Sequence, residues 1–209
     1  KKPQISDNGL TISIPLRKDV LFHDGTHFDS EAMAFSIKRF LEIGTLNYII
    51  NDRISSIETP NPYLIRLRLS RPSSSLIGLL TSINLTPISP KAYANHKGKF
   101  QNQKFVGTGP YRLTSFEPQQ QRIEPFPGYW KDLPRNAGID FISLSNSTSL
   151  FGAMLSREID VLLSNSIDED QRKYLNKMAK KGIIREGEGA AMEIGYITLK
   201  TNSSPLNKI

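Results

Sequence analysis

The stretch VLFHDGTHFDSEAMAF, Val20 to Phe35, constrains the fold of this chain more than any other part of the sequence. Asp24-Gly25 is a strong turn dipeptide, so the backbone must reverse direction there. Asp29 then stands at an N-cap position, and Gly44 stands where a helix would end. The stretch therefore predicts a tight turn that leads into a capped amphipathic helix. The apolar side chains that recur at helical spacing are Met33, Ile37, Phe40 and Leu41.

The same stretch raises the question of a metal site, because His23, Asp24, His27 and Asp29 fall within seven residues. A transition metal needs three or four ligands that converge on one point. A spacing of four aligns two histidines on a helix but not across a turn, and Asp29 already serves as a helix cap. The third histidine, His96, lies in a polar loop. We therefore predict no bound metal and no cofactor.

The composition limits the classes of protein that remain. Hydrophobic residues make up 38% of the chain and charged residues 22%, which suits a globular chain that buries a core. Cysteine is absent, which excludes disulfides, thiolate zinc sites and cysteine nucleophiles. No apolar run is long enough to span a membrane, and the start KKPQISDNG lacks the apolar segment of a signal peptide.

Motifs of enzymes and of nucleic-acid-binding domains are both weak in this sequence. A G-x-S-x-G nucleophile motif is missing, and GTGPY at Gly107 lacks the third glycine of a dinucleotide-binding loop. The acidic run Asp168 to Asp170 suits the start of a helix. We therefore predict that the protein is not an enzyme. A net charge of +7 allows an acidic partner, so a basic nucleic-acid-binding domain remains the alternative.

The pattern of strands and helices changes near Val106. The strands LTISIPL, RISSIET and YLIRLRLS, with one long helix, predict a hairpin-rich α+β subdomain over residues 1–106. After a hairpin of YRLTSF and QRIEPF, strand and helix patterns alternate, which predicts an α/β subdomain with a partly parallel sheet over residues 107–209. The strands predicted in that alternation are IDFISL, IDVLLS, GIIREG and EIGYITL, and the helices are STSLFGAMLSRE and DEDQRKYLNKMAKKG.

Four blocks of the sequence resemble the extracellular solute-binding proteins of family 5, the peptide-, dipeptide- and nickel-binding components of ABC importers. The first block is LRKDVLFHDGTHFDSEAMAFSIKRF, and its matching residues are Arg17, Phe22, Asp24, Gly25, Phe28 and Asp29. The other blocks are VGTGPYRLTSFEP with GYWKDLP, LFGAMLSREIDVL, and YITLKTNSSPLNKI. The third block has Ser156 where the family usually has glycine.

The resemblance implies a mixed α/β (α+β) fold, namely a type II periplasmic-binding-protein-like lobe. It further implies that the chain covers most of a first lobe, with a strand segment before Lys1 and a second lobe beyond Ile209. In this family the solute lies between two lobes that close about a hinge, and the membrane subunits of the importer receive it. We therefore expect an exported protein, periplasmic or membrane-anchored, that binds a small peptide or similar polar solute and no nucleic acid.

The resemblance also points to three loops that face the cleft between the lobes. They follow the first helix, precede ISPKAY, and enter the Gly-Thr-Gly strand. Nickel-binding relatives place arginine and tryptophan in the first two loops, whereas this chain has uncharged residues there, which favours a peptide or another neutral polar solute. For each residue the alternative is a merely solvated connection. The candidate ligand-binding residues are Gly44, Thr45, Asn47, Tyr48, Ser82, Asn84, Gly107 and Thr108.

Overall fold

The computed structural model describes residues 2–95, 105–163, 166–187, 189 and 200–204 of the chain. Two compact units divide the chain, Lys1–Ser143 and Leu144–Ile209. Within the described ranges, no helix combines the length and the apolar character that crossing a bilayer requires.

The first unit contains most of the regular structure. Its first elements are β1 (Gln4–Ser6), β2 (Thr11–Pro15), α1 (Ser30–Ile43), β3 (Ile54–Asn61) and β4 (Leu64–Leu69). They are followed by α2 (Leu76–Leu79), α3 (Pro90–Tyr93), β5 (Tyr111–Phe116), β6 (Gln120–Pro125) and β7 (Ile139–Ile142). The helices of the second unit are α4 (Ser147–Ser156) and α5 (Glu169–Lys180).

The first sheet has the strand order β1-β2-β4-β3, and each neighbouring pair is antiparallel. Side chains alternate between the two faces of a strand, so the alternation in β4 separates a core face from a polar face. Arg66 and Arg68 lie on the polar face and pair with Glu58 of β3 at 3.0 and 2.9 Å. The buried residues of β4 are Ile65, Leu67 and Leu69.

Helix α1 packs on the apolar face of this sheet. Ala34 and Ile37 of the helix are buried in the same core cluster as the β4 residues. Burying a side chain as large as that of Ile37 contributes about 1.5–3 kcal/mol, so this contact is a main source of stability for the unit. The other buried members of the cluster are Ile12, Ile50, Leu76 and Leu85.

The predicted helix boundaries are confirmed. The Asp29 carboxylate accepts a hydrogen bond from the Ala32 amide at 2.8 Å, as an N-cap residue does. The helix ends at Gly44, whose amide donates to the Phe40 carbonyl at 2.9 Å. Both ends therefore form where the sequence predicts them.

The predicted turn at Asp24-Gly25 is also confirmed. The Gly25 amide donates to the Phe22 carbonyl at 2.9 Å, and the Phe22 amide donates to the Thr26 carbonyl at 2.8 Å. Gly25 has a φ of 80°, a left-handed conformation that glycine adopts without steric cost. The rings of Phe22 and Phe28 then meet edge to face at 6.0 Å in a second, smaller core cluster.

The second sheet has the strand order β5-β6-β7, again with antiparallel pairs. Its strands confirm the predicted hairpin and the strand predicted at IDFISL. Both sheets lie in the unit Lys1–Ser143, and a subdivision of that unit near Val106 stays a prediction.

Two strands predicted in the second half are not found. Residues 159–163 and 182–187 have no strand conformation, and among the described residues every strand pair is antiparallel, so the predicted parallel pairing is not found there. A strand needs a neighbour for its backbone hydrogen bonds, and a short apolar run in the sequence cannot supply one. Val161 and Leu163 are accordingly 78% and 69% exposed. The strand predicted at EIGYITL lies outside the described residues.

The end of α4 places one residue in a left-handed backbone conformation. Ser156 is the last residue of the helix, and Arg157 follows in the left-handed conformation with a φ of 64°. Glycine is favoured at that position because it has no Cβ atom. The left-handed position at this helix end, which favours glycine, is therefore occupied by Arg157 and not by Ser156.

Candidate functional site

The loop that follows α1, residues 44–50, is shaped by the way the helix ends. Gly44 has an extended backbone with a φ of −69° and a ψ of 134°. A Cβ atom on this residue would lie 2.6 Å from the Phe40 carbonyl oxygen and 2.6 Å from the Phe40 ring. Glycine is therefore required here by the close approach of Phe40, whether or not a ligand binds.

The other predicted residues of this loop differ in their surroundings. The Asn47 side-chain amide donates to the Leu41 carbonyl at 2.8 Å, so it satisfies one of the last carbonyls of α1. Tyr48 follows in the 3-10 turn Asn47–Ile49 and is 70% exposed. Thr45 is also exposed. The Asn47 side chain thus holds the loop in shape, while Tyr48 is available for contact with a partner molecule.

The second loop, residues 82–86, forms a 3-10 turn that begins at Ser82. The Ser82 hydroxyl oxygen accepts hydrogen bonds from the Asn84 amide and from its side chain, each at 3.4 Å. Leu85 is buried in the core and anchors the turn. Ile83 is consequently turned outward and is 86% exposed. Sequence reasoning did not single out Ile83, because only the burial of Leu85 determines the side to which it points.

The structure brings these two loops together around a shallow depression of about 40 Å³. Of the predicted residues, Ser82 and Asn84 line it directly, and the loop of residues 44–50 forms its other side. Water occupies about 30 Å³, so a solute larger than one water would lie across the depression and not inside it. The lining residues are Phe40, Leu46, Ile49, Ile50, Leu79, Ser82, Asn84 and Leu85.

Gly107 and Thr108 do not line this depression, because residues 107–109 are bound to the turn at His23. The His23 amide donates to the Gly107 carbonyl at 2.9 Å, and the Gly107 amide donates to His23 Nδ1 at 3.4 Å. His23 Nε2 lies 3.0 Å from the Gly109 carbonyl oxygen. Since Nδ1 accepts, this network assigns the proton to Nε2, which donates to Gly109. His23 thus positions the entry to β5.

Asp24 makes further hydrogen bonds at the same turn. We call the turn and its hydrogen-bonded partners, namely His23, Asp24, Ser89 and residues 107–109, the His23–Asp24 latch. The Asp24 carboxylate accepts from the Thr26 amide and hydroxyl at 3.0 and 2.6 Å, and from the buried Ser89 hydroxyl at 2.5 Å. Burial by itself raises the pKa of Asp24, but the hydrogen bonds from Ser89 and Thr26 and the charge of Lys91 outweigh it, so the pKa lies below its usual range. The Ser89 amide donates to the Val106 carbonyl at 3.1 Å. The latch therefore joins the start of α3 to the segment before β5.

The two histidines of the opening stretch have different environments. His23 is half-buried and meets the Phe126 ring edge to face at 5.1 Å, whereas the side chain of His27 is exposed. In the part of the chain that the structure describes, no three His, Cys, Asp or Glu side chains form a group that could hold a metal ion. That the protein binds no metal or cofactor stays a prediction.

One known protein family matches the whole chain. The model of the family described as bacterial extracellular solute-binding proteins, family 5 Middle, matches residues 1–209. Among curated proteins, the chain is 33% identical over 135 residues to the glutathione-binding protein GsiB of Salmonella paratyphi A. This alignment covers 63% of the chain and 26% of GsiB.

Solved structures of other binding proteins resemble this one. An ABC transporter substrate-binding protein from Sinorhizobium meliloti superposes with a TM-score of 0.76 at 27% identity, over 86% of this chain and 38% of that one. The periplasmic binding protein DppA from Helicobacter pylori, in complex with the peptide STSA, gives a TM-score of 0.73 at 22% identity, over 84% of this chain and 39% of that one. The chain thus spans well under half of each protein. The likeness confirms the predicted type II periplasmic-binding-protein-like fold.

Proposed function

Given that the chain belongs to the bacterial extracellular solute-binding proteins of family 5, we propose that it forms part of the substrate-binding component of an ABC importer. In this proposal the whole protein captures a small peptide, or a similar neutral polar solute, between two lobes and delivers it to the membrane subunits. The observation that carries the proposal is the family match over residues 1–209. The depression between the loops after α1 and before α3 supplies the surface for it.

The small size of the depression supports a binding site that a second lobe would have to complete. Sites for small molecules usually enclose about 300–1,000 Å³, whereas this depression measures about 40 Å³. Tyr48 and Ile83, on the two loops that border it, are 70% and 86% exposed. Burying each of them would contribute about 1.5–3 kcal/mol. A peptide lying across the loops, covered by a second lobe, would bury both side chains.

The chemistry of the loops favours contact with an uncharged part of the solute. Residues 44–50, 82–86 and 107–108 contain no charged side chain. They offer hydroxyl, amide and phenol groups, and burying a charge against such groups without an opposite charge is costly. Backbone amides of a peptide would find partners here in Asn84, Ser82 and Tyr48. DppA, which shares the fold, holds the peptide STSA.

The proposed mechanism is closure of two lobes on the solute. A solute that contacts both lobes favours the closed form by its differential affinity for that form, and no chemical step is involved. Gly107 and Thr108 lie outside the depression, where Gly107 is bound to His23, so they would add a third contact only to a solute that extends to that turn. We place the protein outside the cytoplasm, in the periplasm or anchored to the membrane surface, in keeping with the family description.

Calorimetric titration of the full-length protein that contains this chain tests the proposal. The ligands are defined dipeptides to tetrapeptides, glutathione, and nickel chelated by histidine. We expect saturable peptide binding, and we expect Tyr48→Ala and Asn84→Ala each to weaken it about tenfold, as loss of a central contact does. Tyr174→Ala is the matched control, because Tyr174 is an exposed tyrosine of α5 in the other unit. Its peptide affinity should not change.

Two results would overturn the proposal. One is peptide affinity that neither Tyr48→Ala nor Asn84→Ala reduces, since the two loops would then not contact the solute. The other is the absence of peptide binding together with binding of nucleic acid that weakens steeply as salt rises, which marks phosphate-backbone recognition.

A further inference from the structure

A second cavity, of about 240 Å³, lies where the chain leaves β4. Its wall contains no carboxylate, and each side chain in it except the proline carries a hydrogen-bond donor. Since a water occupies about 30 Å³, the cavity has room for a small polyatomic ion and several waters. None of its residues is a candidate solute-binding residue. The lining residues are Arg53, Arg71, Pro72, Ser73, Ser74 and Ser75.

Two hydroxyl groups in this wall accept hydrogen bonds from arginine and keep their own O–H groups as donors. Arg53 Nη1 donates to the Ser73 hydroxyl oxygen at 3.0 Å and to the Ser75 hydroxyl oxygen at 3.1 Å. A hydroxyl that accepts from arginine keeps its own O–H for another acceptor. The two oxygens are 3.5 Å apart, so one hydroxyl can donate to the other. At least one O–H then remains for a ligand.

The positive charge around the cavity exceeds the negative charge beside it. Arg71 pairs with the Asp52 carboxylate at 2.5 Å. Arg53 Nε lies 4.0 Å from the same carboxylate and, among the described residues, this buried nitrogen has no hydrogen-bond partner. One carboxylate thus faces two guanidinium groups. The excess charge and the donor-rich wall are complementary to an anion with several acceptor oxygens.

We propose that this cavity is a binding site for a tetrahedral oxyanion of the phosphate class, either free phosphate or a phosphate ester. Guanidinium groups match the geometry of phosphate oxygens in pairs, and charge-assisted hydrogen bonds of this kind are stronger than neutral ones. Arg53 and Arg71 supply the charge, and the hydroxyls of Ser73 and Ser75 supply further donors. The site is independent of the proposed solute cleft.

The test uses inorganic phosphate as the probe, titrated at constant ionic strength and followed by NMR of the protein amides. We expect saturable shifts at residues 73–75. Arg53→Gln and the double variant Ser73→Ala/Ser75→Ala should each weaken phosphate binding about tenfold, as loss of a charge-assisted hydrogen bond does. The double variant keeps both guanidinium groups, so it remains informative if Arg53→Gln does not fold. Arg135→Gln, in an exposed loop, is the matched control.

The outcomes separate the site from general attraction to a basic protein. Equal phosphate affinity in the wild type and both site variants, or shifts spread over lysines across the surface, would overturn the proposal. A second arm identifies the source of the anion. Cosedimentation with phosphatidylglycerol vesicles but not phosphatidylcholine vesicles, reversed by free phosphate, supports a lipid phosphate ester. Phosphate binding without cosedimentation supports a soluble anion.

Discussion

Replacing Asp24 with asparagine removes the charge of the His23–Asp24 latch and leaves the side-chain shape almost unchanged. The carboxylate oxygens accept from Thr26 and from the buried Ser89 hydroxyl. Asparagine has a single acceptor oxygen, so if it serves Thr26, its NH₂ group faces the Ser89 hydroxyl. Ser89 then loses its acceptor. We expect Asp24→Asn to lower the free energy of unfolding by about 2 kcal/mol at neutral pH, the value of one hydrogen bond to a charged group.

The effect should depend on pH with a defined sign. The pKa of Asp24 in the folded protein lies below the ordinary value of 3.8. A lowered pKa means that the stabilising contribution is complete above the ordinary value and is lost as the pH falls through the folded-state pKa. The difference between wild type and Asp24→Asn should therefore be constant from neutral pH to about pH 5 and should shrink below about pH 4.

Tryptophan fluorescence provides the assay. Trp130 is the single tryptophan of the chain, and it packs against the cluster that contains Phe22 and Phe28. Urea unfolding followed by its emission therefore reports on the unit that holds Asp24. Asp132→Asn is the matched control, since the exposed Asp132 makes no hydrogen bond that the structure describes. Equal unfolding midpoints for wild type and Asp24→Asn at neutral pH, or an undiminished difference at low pH, would refute the reasoning.

Further predictions concern the helix ends, the core and the histidines. Asp29→Ala should lower stability by about 1 kcal/mol through loss of the helix cap, measured by urea unfolding; an unchanged midpoint would contradict the assignment. Phe22→Ala should cost about 3–5 kcal/mol, since Phe22 is fully buried, and the same assay would expose a smaller loss. Arg157→Gly should stabilise the end of α4 by about 0.5 kcal/mol by relieving the left-handed backbone, seen as slower amide hydrogen exchange; faster exchange would argue against strain there. Elemental analysis of the wild type should find no stoichiometric zinc. Zinc that is bound by the wild type and lost in His27→Ala would show a metal site.

The first half of the fold was predictable because its causes are local. Gly25 can take a positive φ, Asp29 can cap the helix three residues on, and the alternation in β4 assigns its residues to two faces. Each of these effects acts within a few residues of the chain. Sequence therefore determined the turn, the helix boundaries and the strands of both hairpins.

In the second half of the chain, local sequence patterns did not suffice to predict the strands. Residues 159–163 are as rich in apolar side chains as β4, yet those residues form no strand. A strand exists only where a neighbour supplies hydrogen bonds, and the neighbour is set by the path of the whole chain. Similarly, the family pattern called for a glycine near Ser156, but only the backbone revealed that Arg157 is the left-handed residue.

Some features of the candidate site could likewise be predicted from the sequence, whereas others depend on the tertiary structure. The uncharged character of its loops could be seen in the sequence, which suggested a neutral polar solute. Tertiary structure decided that Ser82 and Asn84 face the loop after α1, that Asn47 is used to cap the helix, and that Ile83 points outward. It also joined Asp24 to Ser89, which are 65 residues apart. Closing so long a loop costs conformational entropy that one hydrogen bond cannot offset, so such contacts form only when the burial of the core around them brings the segments together.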